Sequence, residues 1–168
     1  MNILNSTLAD LPAIFTLYDQ AIEHQKKVFT RHWQPFDRKM VETEIQEHRQ
    51  WKILVTNEIA CIFAITYNDP LIWKEKDVSP SIYIHRIVTH PDYRGRFFVK
   101  DIIAWAKQFG KQQDKQFIRM DTFGDNQKLI DYYVFCGFNF LGLTTIGNSP
   151  ALPKHYEGAN LSLFEIKI

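Results

Sequence analysis

Between Ile82 and Val99 the chain reads IYIHRIVTHPDYRGRFFV, and this stretch limits the fold more than any other. Ile82, Ile84, Ile87 and Val88 make an apolar, β-branched run of the kind that fills a buried strand. His90-Pro91-Asp92 ends that run, because proline has no N–H to give to a sheet ladder. Arg94, Gly95 and Arg96 follow, and an amphipathic helical pattern then begins near Phe98. The order is strand, basic loop, helix start. Three cations (Arg94, Arg96 and Lys100) crowd the positive end of a helix dipole, at a cost of roughly 0.3–1 kcal/mol each unless an anion is present. Loop N–H groups aimed at a phosphate would reverse the sign of that term. An anion site is the first functional expectation.

The rest of the chain builds a fold around this segment. Asn2 to Asn5 reads as a first strand. Leu11, Ile14, Phe15, Tyr18 and Ile22 recur at helical spacing, so a helix is expected over roughly 11–27, with Asp10 as its cap and Pro12 in its first turn. After the loop Thr30–Phe36, Asp37 caps a second helix that reaches about Arg49. Trp51–Thr56 and Ile59–Tyr67 are strand patterns around a tight Asn57-Glu58 turn, and Asn68–Pro80 is a polar connection. A helix over Phe98–Gln112, a strand over Gln116–Thr122 and a helix from Asp125 or Asn126 to about Phe135 follow. Gly137 stops that last helix as a left-handed residue. Strands Phe138–Leu143 and Leu161–Ile168 flank a loop from Gly147 to Gly158. The order β-α-α-β-β-β-α-β-α-β-β predicts a mixed α/β fold with helices on both sides of a partly antiparallel sheet. With no internal repeat and no linker, residues 1–168 are expected to form a single domain.

Charge and cysteine content narrow the function. Twenty basic and nineteen acidic residues leave a net charge of +1, so no broad positive field points to nucleic acid. Cys61 and Cys136 form no CxxC pair and sit in apolar contexts, which suits buried free thiols. No apolar run approaches the ~18 residues that span a bilayer, and no leader-like segment opens the chain. A cytoplasmic protein that does not engage membranes is expected. No metal is expected among the six histidines, since no HExxH or clustered ligand spacing occurs.

The segments HRIVTHPDYRGRFFVKDIIAWA, RMDTFGDN and YYVFCGF together resemble the core of the GNAT superfamily of acyl-CoA-dependent N-acetyltransferases. The resemblance is strongest from Ile82 to Gly142. It implies a central mixed, mostly antiparallel sheet flanked by helices on both faces, and an N-acetyltransferase that uses acetyl-CoA as co-substrate. Val88, Thr89, Arg94, Gly95, Arg96, Phe97, Phe98, Val99 and Asn126 then fall at the cofactor-binding positions. One departure is plain: Phe97 and Val99 stand where the family's phosphate loop carries small residues.

By the same resemblance, the Thr89 amide is placed to polarise the thioester oxygen. Tyr133, seven residues after Asn126, is the expected general acid, since a phenol can protonate a departing thiolate. On pattern alone, Tyr133 is read first as helix packing, and it is the resemblance that turns it into the acid; Asn126 has the alternative of a plain helix cap. His85 is the candidate general base, because imidazole accepts a proton near neutral pH; Asp121 and Glu75 are weaker substitutes. A histidine inside a strand is more often a satisfied structural group. Trp33 and Phe36 on one loop, and His155 and Tyr156 on another, are the expected acceptor-binding residues, although both could be ordinary surface loops. The expected partner is a small-molecule amine or a peptide N-terminus, with a homodimer as a further option. A rival reading keeps the fold as a non-catalytic module that senses acyl-CoA or another anion, and a scaffold role is a third.

Overall fold

The computed structural model describes residues 1–147, 156 and 158–168. It divides into two compact units, one built from Met1–Ile65 with Arg86–Arg96, the other from Thr66–His85 with Phe97–Ile168.

In the first unit, β1 (Asn2–Asn5) pairs antiparallel with β2 (Gln50–Val55), which pairs antiparallel with β3 (Glu58–Thr66). The turn between β2 and β3 centres on Thr56 and Asn57, both at positive φ (52° and 67°). That is one residue earlier than the sequence suggests, and it is the primed geometry that matches strand twist. Helices α1 (Leu11–Val28) and α2 (Arg38–Gln46) present Leu11, Ile14, Leu17, Tyr18, Val41 and Ile45 to a core shared with Ile62 and Val88. Each such side chain contributes roughly 1.5–3 kcal/mol over its exposed state. Asp37 caps α2 by accepting the Met40 N–H at 2.8 Å. Asp10 does not cap α1. Its carboxylate accepts the Thr7 N–H at 2.7 Å and pairs with Lys52 at 2.6 Å, closing the 3-10 turn ahead of the helix.

The second unit holds the start of β4 (Ser81–Thr89), then α4 (Phe98–Gln112), β5 (Phe117–Phe123), α5 (Gln127–Cys136), β6 (Asn139–Thr145) and β7 (Asn160–Lys167). Pro70–Trp73, called α3 here, and a 3-10 segment over Lys74–Val78 occupy the connection that reads as merely polar in sequence. β4 runs parallel to β5 through the pairs Ser81–Phe117, Ile82–Ile118 and Tyr83–Arg119. β7 pairs antiparallel with both β5 and β6. Arg119 is only 2% exposed. Its guanidinium donates to Glu165 at 2.8 Å, to the Lys76 carbonyl at 2.6 Å and to the Tyr83 hydroxyl at 3.1 Å. Among the described residues, the seven strands follow the order β1-β2-β3-β4-β5-β7-β6, a mixed and mostly antiparallel sheet as expected. None of the described helices is long and apolar enough to cross a membrane.

Candidate active site

In the first unit, Trp33, Val88, Thr89 and Arg94 line one cavity of about 230 Å³. Three of these are expected cofactor residues and one is an expected acceptor residue, so a single concavity gathers both kinds. Trp33 is fixed there because its N–H donates to Gln25 Oε1 at 2.8 Å. Gln20, His24 and Gln25 of α1 also line the cavity. Sequence reasoning missed them, since polar positions on an amphipathic helix read as solvent-facing. Phe36 is placed differently. Its ring lies 4.7 Å from Tyr18 and 5.3 Å from the Arg86 guanidinium, so it packs around a buried charge rather than on the cavity wall. Arg86 donates to Glu44 and to the Tyr18 hydroxyl.

The turn after β4 is tied down at several points. The His90 N–H reaches the Ala60 carbonyl at 2.9 Å, and the Tyr93 hydroxyl donates to Glu58 at 2.8 Å. The Arg96 guanidinium lies 5.7 Å above the Tyr93 ring, while Arg94, Gly95 and Arg96 remain exposed. Gly95 has φ +83° with open space around it, so the backbone conformation and not crowding selects glycine there.

At the start of α4, Phe97 adopts the left-handed conformation (φ 55°, ψ 38°). A non-glycine residue pays roughly 1–2 kcal/mol for this. Its side chain is 47% exposed and lies against α5, stacked on Tyr132 at 6.2 Å and edge-on to Phe135 at 5.8 Å. Phe98 and Val99 are buried on the apolar face of α4. Phe97 thus keeps a glycine-like backbone while its ring leans on α5, and Val99 points into the core. Neither side chain fills the turn itself, although the Arg94 N–H reaches the Pro91 carbonyl at 3.3 Å and the Arg96 N–H the Tyr93 carbonyl at 3.4 Å.

On α5, Asn126 caps the helix by accepting the Leu129 N–H at 3.2 Å. The Tyr133 ring is held by Phe164 at 5.2 Å, Tyr132 at 5.3 Å and Phe138 at 6.2 Å. Burial pushes the Cys136 thiol up, which disfavours a thiolate nucleophile. Tyr156 lies 5.2 Å from Phe123, and His155 lies outside the described residues.

His85 has companions the sequence did not reveal. Asp69, His85 and Asp121 bring ligand atoms within 4.8 Å of one another. His85 Nε2 stands 3.7 Å from Asp69 Oδ2 and 3.5 Å from the Thr66 hydroxyl. Asp69 Oδ2 and Asp121 Oδ1 are sealed from solvent and have no hydrogen-bond partner among the described residues. Burial pushes the Asp69 carboxyl up to about 6, with Asp77 adding repulsion against a bond from the Ile72 amide. Burial pushes Asp121 up to about 7, and the Asp69 charge adds to it. A tetrahedral ion with bonds of about 2.1 Å would draw its ligands to about 3.4 Å apart. The 3.7 Å between His85 and Asp69 is looser than that. Glu75, the other substitute base, is exposed on the 3-10 segment.

Comparisons with known proteins agree with this architecture. The sequence model of the acetyltransferase (GNAT) family matches residues 16–138. An uncharacterized N-acetyltransferase, YesJ from Bacillus subtilis (strain 168), is 27% identical over 79 residues. That match covers 47% of this chain, and the chain spans under half (44%) of the length of this curated relative. A GNAT-family acetyltransferase from Listeria monocytogenes 4b F2365 superposes with a TM-score of 0.77 at 20% identity, covering 99% of this chain and 94% of that one. A putative acetyltransferase from Salmonella typhimurium, yncA, determined with acetyl-CoA, gives 0.70 at 12% identity, covering 99% and 93%.

Proposed function

Because the chain belongs to the acetyltransferase (GNAT) family, we propose that it moves an acetyl group from acetyl-CoA to the amine of a small molecule or a peptide N-terminus. The observation that supports this reading most is the cavity that gathers Trp33, Val88, Thr89 and Arg94. The family match runs through both units, which favours one acetyltransferase domain over residues 1–168. Transfer is direct, in a ternary complex, since neither buried cysteine suits an acyl-enzyme.

In this reading, the Arg94 and Arg96 guanidinium groups, the Gly95 amide and the helix dipole of α4 hold the diphosphate. The Thr89 amide, beside Val88, polarises the thioester oxygen. The amine nitrogen forms its bond to the acetyl carbon as the carbon–sulfur bond breaks. His85 takes the proton that the nitrogen loses, and Tyr133 gives one to the departing thiolate. Trp33 and the α1 residues Gln20 and His24 contact the acceptor on their side of the cavity; the resemblance adds Tyr156 and His155 as acceptor-binding residues.

Phe97 and Val99, bulky where relatives are small, favour a second reading as an acyl-CoA sensor without turnover. Thermal shift with acetyl-CoA and with CoA, followed by thiol release across an amine panel, separates the two. A ligand at 100 times its Kd stabilises by roughly 2.7 kcal/mol. Stabilisation together with amine-dependent thiol release is the expected result. Stabilisation without release would leave the sensor, and no stabilisation would refute both.

A further inference from the structure

His85 has a buried pair of carboxylates beside it, and its proposed role as base does not by itself require them. The parallel pairing of β4 with β5 ends at Tyr83 and Arg119; strand alternation puts His85 on the face of Tyr83 and Asp121 on the face of Arg119, and their ligand atoms lie within 4.8 Å of each other. Asp69, just beyond β3, completes the group, with its ligand atom within 4.8 Å of the other two. Two carboxylate oxygens sealed from water and lacking hydrogen-bond partners among the described residues are expensive if both are ionised. Like charges this close titrate together, so the first proton removed makes the second harder to remove.

Among the described residues, no lysine or arginine forms an ion pair with Asp69 or Asp121. Asp77 faces Asp69 and accepts its N–H at 2.6 Å. Tyr83 and Arg119 sit two residues back along β4 and β5, and the Arg119 guanidinium is held by Glu165 of β7. From β3, Thr66 offers only a hydroxyl. Among the described residues, the group with opposite charge that meets the pair is the His85 ring when it carries a proton.

We infer that Asp69 and Asp121 are positioning residues for His85, sharing one proton between them and presenting a single buried negative charge to its imidazole. The inference rests on the reading of His85 as the base in acetyl transfer. A base that takes the amine's proton becomes an imidazolium in a low-dielectric site. One negative charge at 3.7 Å makes that imidazolium tolerable, and the pair's sealed oxygens need no room for a ligand. The raised carboxyls of Asp69 and Asp121 place the shared proton in the neutral range. The proton taken from the amine stays on the His85 ring until it leaves to solvent with product, so the pair changes charge in no step.

The test is the titration of His85 by NMR, with a chelator present, in the wild type, Asp69→Asn, Asp121→Asn and the double variant. Either single substitution leaves one carboxylate, relieved of its like-charged neighbour and ionised at neutral pH. The His85 pKa should then move by less than about half a unit. The double variant removes the charge, and the pKa should fall by at least about one unit, within the range an adjacent charge produces. The acid limb of kcat/KM against pH should fall with it, while KM for acetyl-CoA stays put. An unmoved His85 in the double variant would overturn the inference, as would a full drop in Asp69→Asn alone. A His85 pKa that moves while the kcat/KM limb does not would overturn it too. Loss of all acetyl-CoA binding in the wild type, with the NMR shifts intact, would instead strike the transferase reading and leave the electrostatic pairing in place.

Discussion

Asp121→Asn should make the protein more stable at alkaline pH, although it removes a carboxylate from the centre of the candidate site. Asn has nearly the shape of a neutral carboxylic acid, so packing is preserved. In the unfolded chain the Asp121 carboxyl titrates near its ordinary 3.8; in the folded protein it is pushed up to about 7. The native state therefore binds more protons than the unfolded state between those values. Stability from this group is complete below about pH 4 and is lost as the pH rises toward 7 and beyond. A difference of about three units at 1.36 kcal/mol each sets an upper bound of about 4 kcal/mol. At pH 8 the variant should gain a few kcal/mol, or a rise in Tm of roughly 5–15 °C for a chain of this size. At pH 4 the two proteins should agree within about 0.5 kcal/mol. Urea unfolding followed by tryptophan fluorescence at pH 4, 6 and 8 measures this directly. Equal pH slopes in variant and wild type would refute the reasoning, because they would mean that Asp121 is ionised in the folded protein at no cost.

Three further outcomes are expected. Tyr133→Phe should lower kcat by about 10²-fold or more while leaving acetyl-CoA affinity within about twofold; unchanged turnover would remove Tyr133 from the acid role. Arg94→Ala should weaken acetyl-CoA binding by about tenfold, or ~1.4 kcal/mol, with the difference shrinking as salt is added; wild-type affinity in calorimetry would dismiss the phosphate contact. Glu165→Ala should destabilise by about 3–5 kcal/mol, because it strips the partner from a buried guanidinium; a loss under about 1 kcal/mol in urea unfolding would show that the Lys76 carbonyl and Tyr83 suffice.

The sequence alone determined most of the elements. Helix α4 was legible over Phe98–Gln112 because its apolar residues recur at 3.6-residue spacing. The ends marked by Asp37, Asn126 and Gly137 were legible because capping chemistry is local. The basic turn after β4 and its resemblance to an acyl-CoA loop were also written in a contiguous segment. Where sequence misplaced a feature, a neighbour in space had claimed the residue: Asp10 went to Thr7 and Lys52, and the short helix Pro70–Trp73 buries Ile72 and Trp73 in a cluster with Tyr83, Leu161 and Leu163. Tertiary structure alone decided that Phe97 takes a left-handed backbone with its ring against α5, and that Gln20 and His24 line a cavity with Thr89. It alone joined Asp69, His85 and Asp121, which lie on separate elements and carry no common spacing. Periodicity reports which face a residue takes within its own element; the partner across the sheet depends on strand register, which is set by the packing of the whole chain.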